Sequence, residues 1–434
     1  MESHAPREGT SDVQALHEAL VDKLKRAGNI TALPVEAAFR AVPRHLFLPD
    51  VALDKVYNDE AIPTKHQDGV AISSSSQPAI MAIMLEQLGL EPGHRVLEIG
   101  AGTGYNAALM AHIVGDTGQV ITVDIDQDIV DTARKHLAAA GFERVQVVCG
   151  DGGFGHPEAA PYDRIILTVG SPDIAPAWRE QLKPGGRLVL PLSLGARQET
   201  IAFERIDDYL VSISRQGCGF MMLRGAFAAP ETHMKLGPEP GLGLIVDDHS
   251  LSLVDADIVY ESLAGSSSDR PAALEVTQPE LWRGVAPWLF WHEPGFCVLG
   301  AEGEPASRGI VPFLLGRPGK SYGTFGLLSA ASLALLMLPP DRVPPVEATD
   351  AAPPPPTEPP DPPPSFELLV RSFGPDVGLA ERMIEQIRAW DAAGRPDEEQ
   401  LRIRVNGHDS AYVPSASESV VEKRWTRIVL NWQP

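Results

Sequence analysis

Three closely spaced glycines are the part of this sequence best suited to hold a ligand for chemistry. Gly100, Gly102 and Gly104 lie between the short apolar run Arg95–Ile99 and the helically spaced apolar run Tyr105–Val114. This order predicts a strand, a glycine turn and a helix. Glycine allows backbone angles that a Cβ would block and lets a ligand approach the main chain closely. Free N–H groups at the helix start would attract a carboxylate or phosphate.

Two carboxylates accompany the glycine turn. Glu98 lies inside the predicted strand, and Asp124 ends the next apolar run, about twenty residues after the glycines, where ribose hydroxyls are expected. The alternative is that Asp124 only caps the helix that starts near Gln127. The G-x-G-x-G spacing, taken with Glu98, is similar to the pattern of class I S-adenosylmethionine-dependent methyltransferases.

Charge and composition argue against several classes of protein. The chain has 434 residues, which suggests two or three domains. Its net charge of −22 argues against a nucleic-acid partner, because phosphate binding needs a positive surface. Cys149, Cys218 and Cys297 show no paired spacing and are expected to be buried thiols of a reducing cytoplasm. The histidines lack metal-binding spacing, so we expect no metal.

The sequence predicts a cytoplasmic protein. Residues 1–10 are polar and lack the apolar core of a signal peptide. Residues 322–338 are uncharged and approach the length of a membrane span. The small residues within that stretch indicate two strands joined by a turn instead. We therefore expect no membrane partner.

Several segments around the glycine turn occur in a characteristic order. They read F-R-A-V-P-R-H-L-F-L-P at 39–49, Y-N-D-E-A-I-P at 57–63, A-I-S-S-S-S-Q-P at 71–78, G-D-G at 150–152, Y-D-R-I-I-L-T-V at 162–169 and Q-L-K-P-G-G-R-L-V-L-P at 181–191. Together they resemble the protein-L-isoaspartate O-methyltransferases, whose N-terminal part reads A-V-P-R-x-x-F-V-P, Y-x-D-x-A-(L/I)-P and I-S-x-P. The resemblance covers residues 12–225, about half the chain.

The resemblance implies a fold and a cofactor. The fold is a class I, Rossmann-like, doubly wound α/β sheet of seven mostly parallel strands, ending with strands at 200–205 and 210–216. The cofactor is S-adenosyl-L-methionine. The residues expected to bind it are Glu98, Gly100, Gly102, Gly104, Asp124, Asp151 and Gly152. Of these, Asp151 is expected beside the adenine, with an ordinary turn residue as the alternative.

The acceptor site is expected in the serine run at 73–76. Family members usually have a single serine there, so its counterpart is Ser76 when aligned on Gln77 and Ser73 when aligned on Ile72; we favour Ser76. The extra serines should lengthen the lip of the site. An acceptor carboxylate is already ionised at neutral pH, so its hydroxyl ligand would position it and need not act as a nucleophile. Such alignment could lower the barrier by roughly 7–11 kcal/mol.

Two other residues are assigned to the acceptor side. Asp59, in the Y-x-D match, should order the acceptor loop. Arg224 is a candidate ligand of the acceptor carboxylate, and a plain surface arginine is the alternative.

The second half is expected to be a separate α+β, sheet-rich domain at 226–434, following a methyltransferase domain at 1–225. Strands are predicted at 251–259, 288–299, 309–315, 324–328, 333–338, 366–373, 401–405 and 426–432, and a helix at 379–390. The proline-rich stretch 339–364 is predicted to be an extended, mobile insertion. The strand at 366–373 should pair with the strand at 333–338.

The second half also resembles the extra domain of long homologues found beside genes for ribosomally made, modified peptides. This resemblance implies a domain that grips a cyclised precursor peptide carrying an aspartyl or isoaspartyl residue. The hypothesis is carboxyl methylation of that residue, followed by ring closure to an aspartimide or isoaspartate. The alternatives are general repair of isoaspartyl proteins, and a peptide-binding scaffold with a vestigial methyltransferase fold.

Overall fold

The computed structural model describes residues 8–194, 197–228, 233–238, 240–246, 254–317, 320–343, 364–415 and 418–433. The helices are α1 (Glu8–Arg26), α2 (Leu33–Ala41), α3 (Leu53–Val56), α4 (Pro78–Leu88), α5 (Tyr105–Val114), α6 (Gln127–Ala139), α7 (Pro176–Gln181), α8 (Ala256–Leu263), α9 (Gln278–Glu280), α10 (Ala286–His292), α11 (Gly303–Ser307) and α12 (Gly378–Ala392). The strands are β1 (Ile62–Gln67), β2 (Val70–Ser75), β3 (Arg95–Ile99), β4 (Gln119–Asp124), β5 (Gln146–Cys149), β6 (Tyr162–Leu167), β7 (Leu182–Leu194), β8 (Arg197–Ile206), β9 (Tyr209–Gly217), β10 (His233–Lys235), β11 (Leu242–Val246), β12 (Ser267–Thr277), β13 (Phe296–Glu302), β14 (Leu315–Arg317), β15 (Ser321–Ser329), β16 (Ser332–Met337), β17 (Ser365–Phe373), β18 (Leu401–Gly407), β19 (Ser419–Glu422) and β20 (Thr426–Trp432).

The predicted doubly wound sheet is confirmed. Its seven strands lie in the order β5-β4-β3-β6-β7-β8-β9. All neighbours from β5 to β7 pair in parallel, and β8 is antiparallel to both β7 and β9. The central strand β3 is buried along nearly its whole length, as is usual for parallel strands covered by helices on both faces. Two hydrophobic clusters, one on each face, include residues of this sheet.

The last strands of the chain extend this first sheet. β18 pairs antiparallel with β9, followed by β20 and β19, so the sheet has ten strands in the order β19-β20-β18-β9-β8-β7-β6-β3-β4-β5. The predicted strands at 401–405 and 426–432 are confirmed, but their pairing crosses the expected boundary at residue 225. The unpaired backbone groups of β9 would otherwise form an open sheet edge, and β18 covers them. The division into 1–225 and 226–434 stays a prediction.

Most of the second half forms another, wholly antiparallel sheet. Its eight strands follow the order β10-β11-β13-β15-β16-β17-β12, with β14 beside β15. The predicted pairing of the strand at 366–373 with that at 333–338 is confirmed, because Leu333 lies opposite Phe373 and Met337 opposite Leu369. Apolar clusters cover both faces, with α12 packed on one of them and α8 on the other.

Three strand predictions in this half are wrong in whole or part. Residues 251–253 lie outside the described residues, and the rest of 251–259 leads into α8, whose start is capped by the Asp255 carboxylate. The run 288–299 divides between α10 and β13. Of 309–315, all but Leu315 lies outside any strand. In each case, the spacing of apolar residues along the chain does not show whether tertiary packing places them on a strand, on a helix or in a loop.

Of the other predictions for the second half, three are confirmed and one falls largely outside the described residues. The strands at 324–328 and 333–338 and the helix at 379–390 are confirmed as β15, β16 and α12. Residues 344–363 of the proline-rich stretch lie outside the described residues. Among the described residues, no helix is long and apolar enough to cross a membrane.

Candidate active site

The predicted glycine turn follows β3 directly. Gly100, Gly102 and Gly104 have φ angles of 101°, 51° and 86°, all in the left-handed region that favours glycine. A Cβ on Gly100 would lie 2.5 Å from the Thr168 hydroxyl oxygen. A Cβ on Gly102 would meet only the Ser74 carbonyl oxygen, at 3.5 Å, across the adjoining cavity. The turn therefore brings bare main chain to the cavity wall.

A cavity of about 350 Å³ lies between this turn and the hairpin of β1 and β2. It opens at the carboxyl ends of β3, β4 and β6, where open α/β sheets bind ligands. The volume is in the range of small-molecule sites. Every described lining residue lies between Ala61 and Arg224. None of the described residues of the C-terminal half lines the cavity.

Asp124 lies at the end of β4 and lines the cavity. One carboxylate oxygen accepts a hydrogen bond from the Gly102 N–H at 3.2 Å, and the other accepts from the Asp126 N–H at 3.3 Å. Burial raises the pKa of this carboxyl group. The N-cap position of α6 belongs to Asp126, so Asp124 is not the cap of that helix. Binding of ribose by Asp124 stays a prediction.

Glu98 is fully buried behind the glycine turn. Its Oε1 accepts a hydrogen bond from Asn106 Nδ2 at 2.7 Å, and Asn106 lines the cavity. Within the described structure, Glu98 Oε2 and Asn106 Oδ1 are buried without a hydrogen-bond partner. Glu98 does not line the cavity, and the Thr122 hydroxyl, opposite it on β4, lies near its carboxylate. Asn106 Oδ1 is the unpaired acceptor next to the cavity, and it suits a ligand that brings N–H groups, such as the ammonium group of a methionine moiety. Contact of Glu98 with the cofactor stays a prediction. Burial raises the pKa of Glu98 to about 7.

The raised pKa of Glu98 predicts pH-dependent binding. An ammonium ligand favours the ionised carboxylate, so S-adenosylhomocysteine should bind roughly tenfold more weakly at pH 6 than at pH 8. In the ligand-free protein the sign is opposite, since burial disfavours the ionised form and the free energy of unfolding falls as pH rises from 4.5 toward 7. Calorimetric titrations at both pH values, with Glu98→Gln as control, measure the effect. An equal pH dependence in Glu98→Gln would assign it to another group.

Asp151 and Gly152 take different positions. Gly152 lines the cavity, whereas Asp151 does not. The Asp151 carboxylate accepts hydrogen bonds from the N–H groups of Gly153 at 2.9 Å and Ala226 at 2.7 Å. Asp151 thus caps the short 3₁₀ turn Gly152–Phe154 and ties it to the segment after β9. Contact of Asp151 with adenine stays a prediction.

The serine run lies along β2 and all four of its residues line the cavity. The β1–β2 pairing has two register shifts, between Pro63 and Lys65 and between Lys65 and His66. Such bulges re-aim side chains along a strand. The run is therefore part of a paired strand as far as Ser75, and not a free lip.

The four serine hydroxyls differ in their hydrogen bonds. Thr64 Oγ1 donates to Ser73 Oγ at 3.2 Å, and Ser75 Oγ accepts from Arg44 at 3.3 Å. Among the described residues, these are the hydrogen bonds of the serine hydroxyls in this run, and neither involves Ser74 or Ser76. This arrangement favours Ser76 over Ser73 as the residue that orients the acceptor, which stays a prediction.

Replacing Ser76 by alanine should therefore lower kcat/KM about tenfold, the loss of one hydrogen bond worth about 1.4 kcal/mol. Ser73→Ala should change it less than about threefold, because that hydroxyl already bonds to Thr64. Steady-state kinetics on one peptide compare the two variants, and Ser74→Ala tests the neighbouring free hydroxyl. A larger loss in Ser73→Ala would reverse the assignment.

Arg44 has a role that sequence reasoning missed. Its side chain is completely buried in the 3₁₀ turn after α2. The four N–H groups of its two terminal nitrogens are shared among six oxygens, while Nε has no partner among the described residues. The oxygens are the carbonyls of Val56, Asn58, Glu60, Ser75 and Ser76 and the hydroxyl of Ser75. It thereby fixes the end of β2 against the chain that precedes β1. The available signal was an arginine directly after Val42 and Pro43 and before the apolar residues that end the motif at 39–49.

Asp59 and Arg224 both form hydrogen bonds or ion pairs with segments that surround the cavity. Asp59 accepts from the Ala79 N–H at 2.9 Å, at the start of α4, and from Gln77 Nε2 at 3.2 Å. Arg224 lines the cavity and pairs with Asp126 at 2.8 Å. Asp126 also pairs with Lys65 of β1 at 2.8 Å, so these ion pairs cross the mouth of the cavity. Binding of the acceptor carboxylate by Arg224 stays a prediction.

A glycine turn after the first strand of a doubly wound sheet, an acidic residue ending the second and a cavity above both define a class I methyltransferase. A family profile described as protein-L-isoaspartate(D-aspartate) O-methyltransferase matches residues 15–226. The chain is similar to the protein-L-isoaspartate O-methyltransferase of Methanopyrus kandleri, with 42% identity over 219 residues, 50% of this chain and 95% of that protein. The chain therefore belongs to the protein-L-isoaspartate O-methyltransferase family, and its cofactor is S-adenosyl-L-methionine.

Two further similarities concern length. The Thermotoga maritima protein-L-isoaspartate O-methyltransferase is 44% identical over 180 residues, 41% of this chain and 56% of that protein. A solved structure named protein-L-isoaspartate O-methyltransferase aligns over 95% of this chain and 98% of its own, with a TM-score of 0.50 and 23% identity. The latter supports the fold over nearly the whole chain.

Proposed function

We propose that this protein transfers the methyl group of S-adenosyl-L-methionine to the free carboxylate of an L-isoaspartyl residue in a peptide or protein. The observation that carries the proposal is the cavity, with bare glycine main chain on one wall and the serine run 73–76 on the other. Family membership supports the choice of acceptor. General repair of damaged proteins is the function most consistent with that family.

The described residues suit a reaction governed by positioning. The bound cofactor supplies an electrophilic methyl group on a sulfonium. The acceptor carboxylate is ionised at neutral pH and needs no strong base. Serine hydroxyls can orient the acceptor carboxylate without neutralising its charge. Arg224, a cationic residue of the cavity lining, is already paired with Asp126. Apolar lining residues such as Ile80 and Met84 limit the access of water.

The product explains a repair role. The next backbone amide nitrogen attacks the carbonyl carbon of the methyl ester, loses its proton and expels the methoxy group as methanol, which closes a succinimide. An ionised carboxylate resists this attack. Hydrolysis of that ring gives a mixture of aspartyl and isoaspartyl peptides. Repeated cycles convert isoaspartyl linkages to normal ones.

The test uses two synthetic peptides that differ only in carrying aspartate or isoaspartate at one position. The intact enzyme with S-adenosyl-L-methionine should add a methyl group, seen by mass spectrometry, only to the isoaspartyl peptide. Asp124→Ala serves as the inactive control. Methylation of neither peptide, or equal methylation of both, would overturn the proposal.

The narrower hypothesis concerns a cyclised ribosomal precursor peptide held by the C-terminal half, giving aspartimide or isoaspartate. The four-serine run and the long second half favour it. It is weakened by the cavity lining, which among described residues stops at Arg224. Strong preference for a cyclised over a linear isoaspartyl peptide would support it, and equal rates favour repair.

The scaffold hypothesis predicts a chain that has lost its cofactor site. The intact turn at Gly100, Gly102 and Gly104 and the carboxylate of Asp124 count against it. Calorimetry showing no heat with S-adenosylhomocysteine, together with no stabilisation against unfolding, would support it.

A cytoplasmic location also stays a prediction, supported by the three free cysteines.

A further inference from the structure

The turn that follows β5 forms one wall of the cavity and is held from outside. Gly152 lines the cavity, and its carbonyl accepts a hydrogen bond from the buried Trp178 Nε1 at 2.9 Å. The ring of Phe227 lies so close to Gly153 that a Cβ there would overlap it. Phe154 meets the same ring edge to face, with 5.1 Å between centroids. Phe227 therefore backs the turn on the side away from the cavity.

The chain leading to Phe227 is fastened to the same turn. The Ala226 N–H donates to Asp151 Oδ2 at 2.7 Å. Gly225 has a φ of 97° and passes so close to the Asp151 carboxylate that a Cβ would clash with it. Residues 225–227 and the turn at 151–154 thus pack as one unit.

Trp425, just before β20, supports this unit from the C-terminal half. Its ring packs against Phe227 with 4.7 Å between centroids. The backbone N–H of Trp425 donates to Asp173 Oδ2 at 2.7 Å, and the Thr426 hydroxyl donates to Asp173 Oδ1. Asp173 is buried, and it also accepts from the Ile174 N–H at 2.7 Å. Trp425 is therefore anchored in the core of the first sheet.

We propose that Trp425 is a positioning residue of the cofactor site, acting through Phe227 on the turn that carries Gly152. The inference rests on the proposed function in one respect, which is that the cofactor binds against the turn that carries Gly152. It gives the C-terminal strands a role in holding the donor. The sequence had assigned this half to gripping the substrate.

The expected effect separates donor from acceptor. Losing the Trp425 ring removes one aromatic contact behind the turn, so Trp425→Ala should raise the Kd for S-adenosylhomocysteine roughly three- to tenfold. The KM for the isoaspartyl peptide at saturating cofactor should stay within about twofold, because the serine wall lies across the cavity. Trp425→Phe keeps a ring against Phe227 and should restore most of the affinity.

The experiment is calorimetric titration of the full chain with S-adenosylhomocysteine. Trp432→Ala is the matched control, because Trp432 ends the same strand and packs on Trp288 instead. Its Kd should equal that of the unmodified protein. An unchanged Kd in folded Trp425→Ala, or an equal weakening in Trp432→Ala, would overturn the inference.

A second variant covers the case in which Trp425→Ala does not fold. Phe227→Leu keeps an apolar side chain behind the turn but removes both ring contacts, and it should weaken binding by the same factor. A normal Kd in Phe227→Leu would overturn the inference. Because the readout is binding, failure of the isoaspartyl activity test would leave this result independent and would overturn only the proposed function.

Discussion

Replacing Gly102 by leucine should lower kcat/KM at least about 100-fold, equivalent to about 2.8 kcal/mol. The Cβ direction at Gly102 opens onto the cavity, with the Ser74 carbonyl oxygen as its nearest atom at 3.5 Å. A leucine side chain would therefore fill the space meant for the cofactor. Isothermal titration with S-adenosylhomocysteine and steady-state kinetics measure the loss.

The control for Gly102→Leu is Gly141→Leu, in the turn after α6. Both glycines have positive φ, 51° and 82°, so both substitutions cost about 1–2 kcal/mol in backbone strain. A Cβ on Gly141 would meet no atom within 4 Å. Gly141→Leu should thus lose some stability and keep its affinity. Normal cofactor binding by Gly102→Leu would show that the cofactor does not occupy this cavity.

Replacing Arg44 by methionine should lower the free energy of unfolding by about 4 kcal/mol. Methionine fills similar space but donates no hydrogen bond, so six oxygens around the end of β2 lose their donor. Each buried acceptor left without a partner costs about 1–3 kcal/mol, partly recovered where water enters. Ser76 should also lose its fixed position, and kcat should fall with stability. Urea denaturation followed by circular dichroism measures the change.

Arg40→Met is the matched control, four residues earlier in the chain. Arg40 is partly exposed on α2 and pairs with Asp22 and Glu36 at the surface. Surface ion pairs contribute about 0–1 kcal/mol, so this variant should be nearly as stable as the unmodified protein. Arg44→Lys retains the charge but has fewer donors, and it should recover only part of the lost stability. A small effect in Arg44→Met would mean that water replaces the guanidinium.

The donor side of the site could be predicted because its signals are local. Gly100, Gly102 and Gly104 follow a buried strand at fixed spacing, and Asp124 ends the next strand. The serine run lines the cavity, and its role in binding the acceptor stays a prediction. Its form as a bulged strand could not be predicted, because the register shifts at Lys65 depend on β1 as well as on the serines. Arg44 escaped notice because burial of its guanidinium depends on six oxygens in two separate stretches of chain, 56–60 and 75–76.

The C-terminal half shows the limits of pattern reading. Strand identity at 366–373 and 426–432 follows from alternation and β-branched residues. The pairing of 366–373 with 333–338 could also be predicted. The pairing of β18 with the distant β9 could not, because no local signal in the sequence marks that sheet edge. The apolar run at 288–299 holds both a helix and a strand, and only tertiary contacts divide them. The Asp255 cap of α8 was a readable start signal that the strand interpretation overrode.

The return of β18 to the edge of β9 affects how the chain is made. During synthesis the ribosome releases β9 long before β18 emerges, so the nascent methyltransferase sheet waits with an open edge. Contacts of such long sequence separation also slow folding. We therefore expect the newly made chain to be most prone to aggregation before β18 closes that edge.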